Sequence, residues 1–139
     1  MSMERNKAVV QRLFEECFNE NDLSILADLV TPTVVYHNAQ PGMAPGTDGY
    51  RQLLTMWRGA FPDAAVTIDG MVAEGDKVVT RFTGRGTHRG EFMGIAPTGR
   101  RVEVKAISIM RLEGGRIAGE WELVDMLGTM QQLGALGGR

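Results

Sequence analysis

The residues best placed to do chemistry lie in RIAGEWELVDMLGTMQQL, Arg116 to Leu133. A strand running through Trp121 and ending at Asp125 has a two-residue side-chain period. That puts Trp121, Leu123 and Asp125 on one face and Glu120, Glu122 and Val124 on the other. An acid sharing a face with Trp121 and Leu123 is partly desolvated, which raises its pKa and makes it a better base once ionised. The chemistry would be proton abstraction and return. Asp125 equally precedes a helix-like run, Met126 to Leu133, and Asp is a favoured N-cap because its carboxylate accepts from the first free N–H groups. Spacing alone leaves both roles open.

Other polar groups add less. His37 ends a short strand, Val34 to His37, and either faces the same cavity as Asp125 or is satisfied by backbone. Asn38 alternates to the opposite face unless the following loop turns it inward. Ser108 is the one polar side chain in AISIM, Ala106 to Met110. His88, flanked by Arg89 and Gly90 and near PTG, reads as a turn-stabilising residue rather than a catalytic one. Arg89, Arg100 and Arg101 read as solvated charges around that turn. Two histidines, one cysteine and the lack of an HExxH arrangement leave little for a transition metal. There is no DxDxDG calcium loop, GxSxG elbow, dinucleotide fingerprint or phosphate loop. What remains is acid–base work without metal or cofactor.

These residues need a scaffold, and the hydrophobic pattern supplies one. Val9, Val10, Leu13, Phe14, Cys17 and Phe18 form a helical stripe over Met3 to Asn21, with Cys17 a small buried hydrophobe within it. Asp22 caps a second short helix carrying Leu23, Leu26, Leu29 and Val30, which Pro32 ends. Asn38 to Gly46 is a loop able to act as a rim. Thr47 is the expected cap of a third helix, on which Tyr50, Leu53, Leu54, Trp57 and Phe61 share a face. The period then changes to that of strands over Ala65 to Ala73, Lys77 to Thr87, Arg101 to Leu112 and Arg116 to Asp125, with hairpin signals at Glu74-Gly75-Asp76 and Glu113-Gly114-Gly115. Helices in the first half and four consecutive long strands afterwards predict an α+β fold, helices packed on one face of a curved antiparallel sheet that bends near Gly84, Gly86 and Gly90. Such a sheet encloses a pocket whose walls draw on Trp57, Phe61, Trp121 and methionines such as Met43, Met56, Met93 and Met110. Nine methionines in 139 residues suit an adaptable apolar lining.

The totals fit one domain, 1–139, with a glycine-rich tail at 134–139 expected to be mobile. A formal charge of −2 without a basic block offers no footprint for nucleic acid or an anionic membrane. The single Cys17 allows no internal disulfide. No window approaches a transmembrane span, and a cytoplasmic location is the expectation.

THRGEFMGIAPTGR, Thr87 to Arg100, together with GRIAGEWELVDMLGTMQQLG near the end, resembles the SnoaL-like polyketide cyclase family. This family, also described as ester cyclases, has the nuclear-transport-factor-2-like superfold. FNENDLSILADLV, VVYHN and FPDAAVTI extend the resemblance over nearly the whole chain. The resemblance implies a cone-shaped α+β barrel in which three helices close a deep apolar pocket, commonly as a homodimer joined through sheet surfaces. It implies an intramolecular aldol condensation without metal or cofactor, with an aspartate near the end of the last strand as acid and base. By its place in the motif that aspartate is similar to Asp125, with His37 beside it. Asn38, Trp57, Phe61, Met93, Ser108 and Trp121 are then the expected contacts to an apolar, carbonyl-bearing small molecule. AISIM departs from the family pattern by carrying only Ser108 where polar side chains are expected. Two alternatives use the same scaffold: an isomerase, dehydratase or hydrolase, and a non-catalytic protein that binds an apolar metabolite.

Overall fold

A computed structural model describes residues 2–135. The first helix starts at an N-cap, Ser2, whose side chain accepts from the Arg5 N–H. The expected single helix is two pieces: α1, Met3–Arg12, and a π-helix, Leu13–Asn19. The wider π-turn brings Leu13, Phe14 and Phe18 to the same cavity wall, and π-turns are rare enough to concentrate at functional sites. Asp22 caps as expected, its Oδ1 accepting from the Ser24 N–H at 3.2 Å, and a 3₁₀ turn, Leu23–Ile25, leads into α2, Leu26–Leu29. Strand β1, Val30–Tyr36, starts earlier than the sequence suggests and contains Pro32. Proline is tolerated because β1 is an edge strand, and the β1 pairing is irregular between Val30 and Val35.

Helix α3, Gly46–Ala60, begins one residue before Thr47, the residue expected to cap it. Thr47 instead donates its hydroxyl to the Thr31 carbonyl at 3.2 Å, tying α3 to β1. Then come β2, Ala65–Glu74, β3, Lys77–Thr87, β4, Arg101–Glu113, β5, Arg116–Val124, and a fourth α-helix, α4, Met126–Gln132. The two hairpin turns sit where expected. At the second, Gly114 and Gly115 take φ of 59° and 85°, the positive values that match the twist of paired strands.

The sheet order is β1-β5-β4-β3-β2. The four long strands are antiparallel neighbours, whereas β1 adds to β5 in parallel. On β4 the concave face carries Val102, Ala106, Ser108, Met110 and Leu112, all buried, while Ile107 and Ile109 on the convex face are exposed. The main core packs α1, the π-helix, α2 and α3 onto the concave face through Val10, Leu13, Phe14, Leu26, Leu29, Tyr50 and Leu53. A second cluster of Ala60, Phe61, Phe92, Val102 and Leu133 closes the far end.

The glycines of β3 and its exit do more than bend a strand. A Cβ on Gly86 would lie 2.9 Å from the Phe61 Cβ, and one on Gly90 only 2.1 Å from the Gly59 carbonyl oxygen. They let the end of α3 seat on the sheet. Of the tail expected to be mobile, Gly134 and Ala135 hydrogen-bond back to α4, and residues 136–139 lie outside the described residues.

Candidate active site

Between α3, the π-helix and the concave face lies a cavity of ≈ 100 Å³. Its walls are apolar: Leu13, Phe14 and Phe18 from the π-helix, Leu53, Leu54, Trp57 and Phe61 along α3, and Phe82, Val102, Val104, Ala106 and Val124 from the sheet. Exposed Arg85 and Ala65 mark the mouth, and buried Tyr50 and Glu120 mark the closed end. The polar lining groups are Tyr50, Glu120, Glu122 and Arg85, and Arg85 turns aside to pair with Glu103 at 2.9 Å.

The carboxyls that face this cavity are therefore on the other face of β5 from the one carrying Trp121, Leu123 and Asp125. Trp121 is 40% exposed and Leu123 78% exposed on the convex side, while Glu120 is 2% exposed. Two phenols make that inversion possible. Tyr50, on α3, donates to Glu120 Oε1 at 2.6 Å, and Tyr36, on β1, donates to Glu122 Oε1 at 2.7 Å. Buried Glu120 and half-buried Glu122 thereby each gain a charge-compatible partner without a salt bridge.

Burial pushes the Glu120 carboxyl well above its ordinary range, and the neighbouring Glu122 charge raises it further against the lowering effect of the Tyr50 hydrogen bond. Burial also raises Glu122, opposed by the Tyr36 hydrogen bond. The same burial, with the adjacent carboxyls, raises both tyrosines, so they remain donors throughout the neutral range. A close pair of acids that cannot both ionise readily separates into a proton holder and a base. Glu120 is the more enclosed of the two.

Asp125 does not reach the cavity. It is the exposed N-cap of α4, its Oδ1 accepting from the Gly128 N–H at 2.9 Å, so the capping alternative describes its geometry. His37 is also on the convex side, where its ring stacks on Trp121 with centroids 4.1 Å apart, and its backbone N–H donates to the Glu120 backbone carbonyl. Asn38 works through backbone: its Oδ1 accepts from the Glu122 N–H at 2.6 Å and ties the loop after β1 to the strand carrying the acids. Trp57 and Phe61 line the cavity as expected. Met93 is exposed with φ of 50°, and Trp121 faces away, so neither lines it. Ser108 is fully buried on the rung of Glu122, beside the cavity rather than in its lining.

His88 is buried and takes the turn role, its Nδ1 accepting from the Thr98 N–H at 3.2 Å and its backbone N–H donating to the Arg100 carbonyl. Sequence reasoning missed Glu120, Glu122, Tyr36 and Tyr50 as a group. Their alternation on β5 was legible, but apolar Trp121 and Leu123 drew the inner face to the wrong side.

A model of the SnoaL-like polyketide cyclase family matches residues 8–133 of the chain. The chain belongs to this family. As a SnoaL-like protein it is 29% identical over 114 residues to nogalonic acid methyl ester cyclase from Streptomyces nogalater, spanning 81% of this chain and 82% of that one. TsrD from Streptomyces laurentii, at 32% identity, superposes with a TM-score of 0.90 over 98% of this chain and 99% of its own. Wild-type IdmH from Streptomyces antibioticus, at 34% identity, gives a TM-score of 0.80 over 93% and 98%. The SnoaL-like fold is the mixed α+β, nuclear-transport-factor-2-like architecture seen here. Among the described residues no helix is long and apolar enough to cross a membrane.

Proposed function

We propose that this protein closes a ring by intramolecular aldol condensation in an apolar, carbonyl-bearing small molecule, with Glu122 as base and Glu120 as acid in place of Asp125. The observation that carries the reading is the tyrosine-anchored Glu120 and Glu122 pair at the closed end of an otherwise apolar cavity. Ionised Glu122 removes a proton from a carbon flanked by two carbonyls, and the enolate spreads the charge. That carbon forms the new C–C bond to a second carbonyl folded against it, whose oxygen takes the Glu120 proton. No atoms are gained or lost, and proton transfer between the two carboxyls restores the pair. The aromatic and aliphatic walls hold the substrate in the folded shape and keep water away, which supplies much of the acceleration. No metal or cofactor enters this scheme. Nogalonic acid methyl ester is the first substrate to try, because a relative of similar length is named for it. In ²H₂O the wild type should exchange deuterium into the acidic carbon of that ester and Glu122→Gln should not. Equal exchange by both would refute the assignment.

The convex face supports a homodimer. Val72, Val79, Ile109 and Trp121 are successive partners across β2, β3, β4 and β5, and Ile107 opposite Leu123 forms the next rung, with Val35 exposed on the adjoining edge strand. A second copy meets this face with its own apolar rungs, burying Leu123 and Trp121 in both chains.

A further inference from the structure

Two hydroxyls beside the candidate acids have no protein partner among the described residues. Thr80 Oγ1 and Ser108 Oγ are both fully buried, and neither hydrogen-bonds to any protein atom of those residues. They are neighbours in register: Thr80 on β3 is opposite Ser108 on β4, and Ser108 is opposite Glu122 on β5. The rungs on either side run Phe82, Ala106, Val124 and Val78, Met110, Glu120. Phe82, Ala106 and Val124 on one side, Glu122 on the rung itself and Glu120 on the other all line the cavity. The hydroxyls thus lie within one rung of the cavity on both sides.

A buried hydroxyl left unpaired is costly, and valine and alanine would fill the same space at no such cost. Side chains opposite one another on adjacent strands have Cβ atoms roughly 5 Å apart, so Thr80 and Glu122, on either side of Ser108, are roughly 10 Å apart, a span closed by the length of the glutamate side chain and one water bridging at Ser108. Tyr36 occupies Glu122 Oε1, leaving Oε2 as the acceptor for such a bridge. The titratable groups around this carboxyl are Glu120 on the same strand, Tyr36 from β1, Tyr50 from α3, and, in the same core cluster, the Cys17 thiol of the π-helix, which burial pushes up to about 11. None is cationic in the neutral range, and Arg85, the cationic residue of the cavity lining, is paired with Glu103, so an ionised Glu122 depends on hydroxyl donors for its stabilisation.

We propose that Thr80, Ser108 and Glu122 form a water-binding subsite beside the cavity, in which one water held by the two hydroxyls donates to Glu122 Oε2. Thr80 and Ser108 are then positioning residues: they favour the ionised carboxylate and fix its orientation toward the cavity. The inference rests on Glu122 as the base, and its effect on that residue is a lowered titration midpoint. Loss of the bridge removes a donor from the charged form and moves the midpoint up.

The test needs no substrate. Infrared titration of protein with ¹³C-labelled glutamate follows the protonated carboxyl band, and Glu122→Gln identifies the component belonging to Glu122. Ser108→Ala and Thr80→Val should each raise that midpoint by about one pH unit, the size of one lost hydrogen bond to a charged group, while Thr80→Ser should keep the wild-type value. A crystal structure of the wild type should show a water within hydrogen-bonding distance of both hydroxyls. An unmoved midpoint in both folded hydroxyl-deletion variants would overturn the subsite. Retained cyclisation by Glu122→Gln would instead overturn the catalytic reading and leave the titration result standing.

Discussion

Glu120 carries a cost that is visible in the pH dependence of stability. Its carboxyl is buried and raised well above the usual range, by burial first and by Glu122 second. An unfolded glutamate titrates near 4.3, so above that pH the folded chain binds a proton that the unfolded chain releases. The stability contributed is fully present below about pH 4.3 and is lost as pH rises through the folded-state pKa. Glu120→Gln keeps an oxygen for the Tyr50 hydroxyl and removes the titration. Its melting temperature should exceed the wild type's at pH 8 by several degrees, about 1–2 kcal/mol, with the gap closing toward pH 5. A gap independent of pH would contradict the assignment. Asp125 has a smaller and different role: Asp125→Ala removes one helix cap and should cost about 1 kcal/mol by chemical denaturation.

At the scale of elements, the end of α3 is clamped by one side chain. Arg58 donates to the carbonyls of Pro62 and Ala64, at 3.1 and 2.9 Å, and to that of Phe18, and it lies over the Phe18 ring. Phe18 and Ala64 both line the cavity, so Arg58→Met should lower stability by roughly 1–3 kcal/mol and weaken ligand binding together. An unchanged denaturation midpoint would show that the clamp is dispensable. Element types were legible because the helical stripes and the four strand periods are long and bounded by turn residues. The orientation of β5 was not. Its two faces differ by apolar Trp121 and Leu123 against Glu120 and Glu122, and a rule that buries the apolar set points inward with the wrong one. The deciding contacts, Tyr50 and Tyr36, come from 70 and 86 residues away, and no local pattern encodes them. Trp57 and Phe61 were legible because they lie on the helical face that packs on the sheet. The π-turn and the parallel addition of β1 also depend on tertiary packing rather than local period.

For the whole molecule, one sheet separates two apolar surfaces, a cavity on the concave side and an exposed face on the convex side. The second explains why Trp121 and Leu123 mimic core residues in sequence. Leu123→Glu places like charges opposite one another in the proposed homodimer without touching the cavity. Sedimentation at micromolar concentration should find a dimer in the wild type and a monomer in Leu123→Glu, with the cavity acids unaltered. A monomeric wild type would contradict the proposal.

In the proposed reaction the chemistry belongs to the acids under the sheet rather than to the acid at its end. It is tested most directly by kcat/KM for cyclisation of nogalonic acid methyl ester with Glu122→Gln and Asp125→Asn assayed beside the wild type. Glu122→Gln should lose at least about a hundredfold, the usual range for removing a general base, and Asp125→Asn should stay within a few-fold. Loss in Asp125→Asn with Glu122→Gln unimpaired would contradict it.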